Sequence, residues 1–429
     1  MTSDDVLQLQ QPLTAGGIRN VNFFNGRLLT SKDLTREQEA RREADARLGL
    51  ALGEGVAQGL EVAEDKRTGR PAGTYVSVNA GVAINRAGQV LRLPQKTTVA
   101  LTQQFTSDLL DACIFSNCER LRGGTYVTGA GVYVLTLAPS TATEGRAATN
   151  GLDPTNVRCN TDTNVEALQF RLLKLTTKML SGLDFGSSTL RNELAYRCFG
   201  AGIQSDWFAS LLTAQPRKDD LLEALREVGL GPLEVPLALL HFKGATTLGF
   251  VDTWAVRRPL HRPDSGAMGG LVETRRMAVG RAMFMQFQAQ IAELGAPILL
   301  PSNLAAKTHF RYLPPVGVLP VAEEGDETDQ QASKFFAGMT FRRPAFINAA
   351  RLESLVRDSL HFPPIDTQSG ELVWLYRVRE NRTAIEILKP TPAPRSYIVF
   401  ASGHIPYLAD AQSDLGRWNY SNYARALQS

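Results

Sequence analysis

Apolar and polar positions change period several times along the chain, and each change marks an element. Near the start, Phe23-Phe24 and Leu28-Leu29 flank Asn25-Gly26. Asn-Gly accepts positive φ at both central positions, so residues 21–29 are expected to form a tight hairpin. Thr30-Ser31-Lys32-Asp33 follows as a helix start, with Thr30 as N-cap and Asp33 at the third position. The helix is expected over residues 32–53. Its first half is densely charged and includes Arg36, Glu37, Arg41 and Arg42. Apolar side chains thicken later, where Ala44, Leu48, Ala51 and Leu52 share a face at three- and four-residue spacing. That face is expected to dock on a core while the charged half projects or meets another subunit. A solvated helix laced by pairs such as Glu37–Arg41 is the alternative. Gly53, Gly55 and Gly59 then end the helix and lead into a strand at Leu60-Glu61-Val62.

A period of two dominates next. Residues 75–78, 81–84, 90–93 and 97–101 read as strands, with turns at Asn79-Ala80-Gly81 and at Asn85-Arg86-Ala87-Gly88. Residues 101–118 read as partly helical and 131–138 as a strand. Residues 139–162, rich in Ser, Thr, Gly, Asn and Ala, read as a surface loop. A strand is expected over 165–175, helices near 188–201, 206–213 and 218–228, and a hairpin from 233–242 and 247–256. The second long helix spans 269–294. There Met277, Phe284 and Ile291 fall seven apart beside a second column of Gly280, Phe287 and Leu294. The seam fits a coiled-coil partner or a helix buried within its own subunit. Residues 321–333 carry five acids and no opposing base up to that point, which predicts a mobile loop. A helix over 346–360, strands over 372–378, 383–388 and 396–401, and an aromatic tail with Tyr407, Trp418, Tyr420 and Tyr423 complete the chain. Such a tail is expected to pack or to anchor at an interface. Phe335-Phe336-Ala337-Gly338 echoes Phe23-Phe24-Asn25-Gly26, for which coincidence is the simpler account.

These elements predict an α+β chain of several small antiparallel-sheet domains with two long helices, an extended multi-domain subunit. The expected divisions are an arm and hairpin (1–30), a helix plus small β domain (31–138), a loop or insertion (139–164), a mixed α/β middle domain with the long helix (165–300) and a C-terminal α+β domain (301–429). The length of 429 residues suits two to four domains.

Charge removes some partners. Lys plus Arg total 46 against 43 Asp plus Glu, so no electrostatic case exists for a nucleic acid or an anionic membrane. No apolar run approaches the ~20 residues of a membrane span. The acidic start, Met1-Thr2-Ser3-Asp4-Asp5, lacks a secretory signal pattern, so synthesis in the cytoplasm is expected. Cys113, Cys118, Cys159 and Cys198 fit buried thiols, a local Cys113–Cys118 disulfide or a zinc site; the first suits the spacing best.

Catalytic patterns are missing from the sequence. His241, His261, His309, His361 and His404 are scattered, and no Gly-x-Ser-x-Gly elbow occurs. Ser402-Gly403-His404 reads as a turn. The glycine-rich run from Gly123 to Gly131 leads into a strand and lacks the Gly-Lys-Ser/Thr ending of a phosphate loop. Asp252 beside Arg257-Arg258 reads as a structural ion pair. No cofactor is expected. Two distant carboxylates would escape this reading, so a hydrolase stays as a lesser alternative. A glycan- or receptor-binding protein using Trp374, Trp418 or Tyr420 is another.

The N-terminal segment resembles a family of contractile injection systems and phage-tail-like particles. The residues that carry the resemblance are Asn22-Phe23-Phe24-Asn25-Gly26-Arg27-Leu28-Leu29-Thr30, the helix with Glu37-Gln38, the exit Gly55-Val56-Ala57-Gln58-Gly59-Leu60-Glu61-Val62, and Gly81-Val82-Ala83-Ile84 with Gly88. It covers about 80 residues. Where the family often has His and Trp near the helix exit, this chain has Leu48, Leu50 and Leu52. The resemblance implies a bacterial particle component near the baseplate or a fibre or collar attachment point. It would be made in the cytoplasm, reside in the particle and be open to release with it. It would contact baseplate, sheath, tube or spike subunits, and itself as a trimer or hexamer. Candidate interface residues are Phe23, Phe24, Asn25, Gly26, Leu28, Arg36, Arg41, Met277, Phe284, Ile291, Trp418 and Tyr420.

Overall fold

A computed structural model describes residues 14–66, 75–101, 129–147, 160–201, 221–244, 247–261, 273–295, 303–321, 326–342, 344–348, 351–379 and 396–405. The expected elements at 102–118, 206–213 and 383–388 lie outside these residues. So do Cys113, Cys118, Cys159, most of the glycine-rich run and the aromatic tail.

Thr30 starts helix α1 (Ser31–Leu52) with a reciprocal cap. Its hydroxyl accepts the Asp33 amide, and the Asp33 carboxylate accepts the Thr30 amide at 3.0 Å. Those two bonds from Thr30, its hydroxyl first, hold the Asp33 carboxyl below its ordinary range. Arg27 also binds Asp33 at 2.6 Å, tying the preceding turn to the helix. The Asn25-Gly26 turn forms, closed by the Arg27 amide donating to the Phe24 carbonyl at 3.2 Å. The expected hairpin does not form, because residues 21–24 and 27–30 are not paired strands. Gly26 has φ 89° while Asn25 stays at negative φ. One positive φ, at the third position, gives a type II turn, whose twist splays its flanks.

The helix also departs from expectation at its far end. Ala44, Leu48, Ala51 and Leu52 stay exposed. Contact with the body runs through Gly49, where an added Cβ would lie 2.0 Å from the Gly88 carbonyl oxygen. The helix thus approaches the Asn85–Gly88 turn backbone to backbone, which a side chain would prevent.

Six short strands follow: β1 (Gly55–Gly59), β2 (Val62–Glu64), β3 (Tyr75–Val78), β4 (Gly81–Ile84), β5 (Val90–Leu93) and β6 (Thr97–Ala100). They build two antiparallel sheets, β1-β4-β5 and β2-β3-β6. The expected strand at residues 60–62 is broken at Leu60, which has φ 62° and a fully buried side chain. The break moves the chain from one sheet to the other.

A four-stranded antiparallel sheet comes next. Its strands are β7 (Gly131–Ala147), β8 (Asn160–Lys174), β9 (Val235–Phe242) and β10 (Leu248–Asp252), in the order β10-β9-β7-β8. Here the loop expected at 139–164 is corrected over its described residues, 139–147 and 160–164. β7 and β8 pair without interruption out to Ala147 and Asn160. Thr141, Thr143, Thr161 and Thr163 suit a pleated backbone, but without an apolar alternation the segment resembles a loop in sequence. One face of the sheet, with Tyr133, Leu135, Leu240 and Phe242, packs on the two small sheets. The other, with Val132, Val134 and Leu239, packs on helices α2 (Leu190–Cys198) and α3 (Leu221–Val228).

Helix α4 (Glu273–Glu293) joins this unit to the next. Ala282 and Met283 enter the middle core, while Phe287 and Ile291 enter a C-terminal one. At Gly280 a Cβ would lie 2.1 Å from the Leu360 carbonyl oxygen. The C-terminal sheet is mixed. It contains β12 (Val316–Val321), β17 (Ser396–Ser402), β16 (Leu372–Arg379) and β13 (Thr340–Phe341), with β14 (Ala345–Asn348) also on β16. β13 and β14 run parallel to β16. Two-residue strands β11 (Tyr312–Leu313) and β15 (Ile365–Asp366) pair beside it. Period two divides its cores: Val373, Leu375, Ile398 and Phe400 face one way, Trp374, Tyr376, Val399 and Ala401 the other.

Three short helices cover this sheet: α5 (Ala306–His309), α6 (Asp326–Phe335) and α7 (Leu352–Ser359). Two of them correct the sequence reading. The acidic segment expected as a mobile loop contains α6. Ala332 and Phe335 anchor its end in the core. The helix expected over 346–360 shortens to α7, because residues 345–348 are taken into the sheet.

Candidate functional site

Large exposed apolar side chains concentrate at the N-terminal end. Of twelve among the described residues, eight lie between Phe23 and Leu52. Phe24 is 63% exposed, Leu28 88% and Leu48 67%. The arm that carries Phe23, Phe24, Leu28 and Leu29 is fastened back on α1. Arg47 donates to the Gly16 carbonyl at 2.5 Å, Arg27 donates to the Asn22 carbonyl at 2.6 Å, and Val21 is buried. Arg36 and Arg41 stand exposed on the same helix, Arg41 within 3.8 Å of Glu37. The N-terminal candidates are therefore all solvent-facing or half-buried on the arm and α1, with Asn25-Gly26 at the arm's turn. A concentration of apolar side chains on a tethered, ordered element is a feature of interaction surfaces.

The other candidates lie elsewhere. Ile291 is buried, Phe284 packs against the C-terminal core and Met277 is half-buried, so this column packs largely within its own chain. Trp418 and Tyr420 fall outside the described residues. Trp374 is a core side chain whose Nε1 donates to the Ile405 carbonyl at 2.9 Å, so its ring offers no sugar platform.

Sequence reasoning missed a polar hub at the exit of α1. The Glu54 carboxylate lies 3.3 Å from Arg86, 3.3 Å from Arg226 and 3.8 Å from His261. Glu54 and His261 also exchange backbone hydrogen bonds of 2.9 Å each. The hub lines an open cleft together with Glu234 and Val235. It fixes where the helix leaves the body. Nothing local signals it, because its members come from four separate stretches of chain.

Catalytic alternatives find little support among the described residues. Asp252 pairs with Arg191 at 2.8 Å, not with Arg257 or Arg258 as the sequence suggested. Arg257 instead donates to the Gly59 carbonyl and stacks on Trp254, while Arg258 donates to the Cys198 carbonyl at 2.7 Å. Cys198 itself is a buried thiol. Ser402 donates to Glu371 at 2.8 Å, and His404 Nε2 lies 3.1 Å from the same oxygen. The carboxylate stands between hydroxyl and imidazole, the wrong order for activating a serine. No cluster of three metal-binding side chains occurs among the described residues, and no described helix is long and apolar enough to cross a membrane.

Three histidines give the fold a pH dependence. Burial lowers the pKa of His241, assisted by Lys243, and lowers that of His309. Burial is also the largest effect at His261. There the Pro259 carbonyl and Glu54 oppose it, while Arg258 and Arg275 add to it. In each case the unfolded chain takes up a proton before the folded one. Stability is therefore complete above the ordinary histidine value of 6.5 and falls as pH drops below it. Thermal midpoints are expected to decline from pH 7.5 to 5.5, and His261→Gln is expected to flatten the decline. A midpoint that rises on acidification would contradict the assignment.

No family model matches the chain, and no curated protein matches it. Among solved structures it is similar to a chain described as TssK, at 11% identity and a TM-score of 0.25. The match covers 81% of this chain and 60% of that one. A score this low carries no argument about fold or role.

Proposed function

We propose that the chain is a structural subunit of a contractile injection system or a related phage-tail-like particle, near the baseplate or at a fibre or collar attachment point. It acts through contacts with baseplate, sheath, tube or spike subunits and with its own copies, and not through catalysis. The observation that carries this reading is the exposed apolar surface from Phe23 to Leu52. Its first part, Phe23 to Leu29, coincides with residues that resemble that family, while Leu48, Leu50 and Leu52 stand where this chain departs from it. A particle that repeats one subunit around an axis turns such a surface into an inter-subunit contact. The capped helix start and the Gly49–Gly88 contact hold the surface in place before a partner arrives, which lowers the ordering cost of binding.

The test is incorporation. A tagged chain expressed with the other particle proteins is expected to sediment with assembled particles. Leu48→Ser/Leu52→Ser is expected to reduce incorporation about tenfold or more. Stability of the free chain should change by less than about 0.5 kcal/mol, since both side chains are already in water. A wild-type chain that stays in the supernatant while particles assemble would sink the proposal.

A further inference from the structure

The exposed stripe of α1 has a symmetry of its own. Leu34, Gln38, Arg41, Asp45, Leu48 and Leu52 follow one another at intervals of four, three, four, three and four residues. This is the spacing of a coiled-coil seam. All six side chains are exposed, whereas Ala40 and Gly49 on either side of the stripe are buried by the rest of the chain. Most of the helix surface is exposed, and this column is the part of it with that spacing.

Read in reverse, the stripe complements itself. Leu34 corresponds to Leu52, Gln38 to Leu48, and Arg41 to Asp45. We propose that the seam pairs antiparallel with the same seam of a second copy of this chain. Leu34 then packs on Leu52 of the second copy at each end. Two Arg41–Asp45 ion pairs flank the two-fold axis. The arrangement is isologous, as a two-fold contact requires. A parallel pair would instead set Arg41 against Arg41 and Asp45 against Asp45, placing like charges in contact. Antiparallel packing also opposes the two helix dipoles. Arg41 now holds Glu37 at 3.8 Å and is 79% exposed, a weak pair that is easily exchanged. This pairing rests on the assembly reading and names its partner at the α1 surface.

The full-length chain tests it by charge reversal and cross-linking. Arg41→Asp is expected to weaken self-association about tenfold or more in analytical ultracentrifugation. Asp45→Arg should do the same, and the double reversal should restore it. A chain carrying both Leu34→Cys and Leu52→Cys is expected to form an intermolecular disulfide between the two introduced sites, mapped by mass spectrometry against the wild-type cysteine background. The two sites lie about 27 Å apart along one helix, too far to close within a chain. A cross-link formed readily by Leu34→Cys alone would indicate parallel pairing and overturn the proposal. So would a chain that stays monomeric at high concentration. If the chain joins particles yet never forms the Leu34→Cys/Leu52→Cys cross-link, the antiparallel pair is wrong and the assembly reading survives. If it forms the cross-link yet never joins particles, the reverse holds.

Discussion

Asp252→Ala is expected to destabilise the chain by about 3–5 kcal/mol, the cost of breaking a buried ion pair from one side. Asp252 is fully buried at the end of β10. One carboxylate oxygen accepts the amides of Trp254 and Ala255 at 3.1 and 2.9 Å. The other accepts Arg191 at 2.8 Å and Gln286 at 3.0 Å. The side chain therefore ties β10 to α2 through Arg191 and to α4 through Gln286. Burial works to lower the pKa of Arg191, but Asp252 and then Glu293 outweigh it, and the guanidinium stays above its ordinary value. Alanine would leave that buried cation with Glu293 alone and would orphan two amides. Asp252→Asn should lose less, because its carbonyl oxygen can still accept the two amides. Urea unfolding of the purified variants checks this. A loss under about 1 kcal/mol for Asp252→Ala would mean that water replaces the carboxylate.

Phe336→Ala is expected to cost about 3–5 kcal/mol, as truncation of a fully buried aromatic does. Its ring stands edge-on to Phe335 at 4.9 Å and to Phe400 at 5.5 Å, in a core that also receives Phe287 and Phe310. The sequence offers an internal control. Phe24 occupies the matching place in the other Phe-Phe-x-Gly segment, yet it is exposed. Phe24→Ala should leave the free chain within about 0.5 kcal/mol of wild type and weaken incorporation into particles instead. Equal stability losses for the two variants would show that Phe24 is buried in the free chain. Neutral outcomes for Phe24→Ala in both stability and incorporation would remove it from the interface.

That pair of segments shows how far local sequence reaches. Both predict aromatic side chains before a glycine turn. Burial depends on what the fold supplies above each turn: a sheet face with Phe400 over Phe336, and solvent over Phe24. The same limit explains the misreading of Leu48 and Leu52. Their three- and four-residue spacing with Ala44 and Ala51 looked like a core-facing stripe. The body meets the helix at Gly49 instead, since two backbones approach more closely there than side chains allow. The Met277–Phe284–Ile291 column has the opposite fate. It carries the period of a coiled coil, and α4 lays it largely against its own subunit.

Some features needed nothing beyond the local chain. Thr30 and Asp33 cap α1 because a hydroxyl and a carboxylate three residues apart can satisfy the orphan amides of a helix start. β3 to β5 follow from apolar and β-branched residues separated by Asn- and Gly-bearing turns, and β6 from the β-branched run after Pro94. The α+β class follows from these periods, as does the antiparallel character of most sheets. Tertiary structure decided everything that depends on distant partners. It extended β7 and β8 through a segment of loop-like composition, because each strand supplied the other's hydrogen bonds. It gave Asp252 to Arg191 in place of the adjacent Arg257 and Arg258. It also gathered Glu54, Arg86, Arg226 and His261 at the exit of α1. Local periodicity encodes which face a segment can bury, while the partner that buries it, or leaves it open for another subunit, is chosen by contacts between residues distant in the chain, such as Arg191 with Asp252 and Glu54 with Arg226.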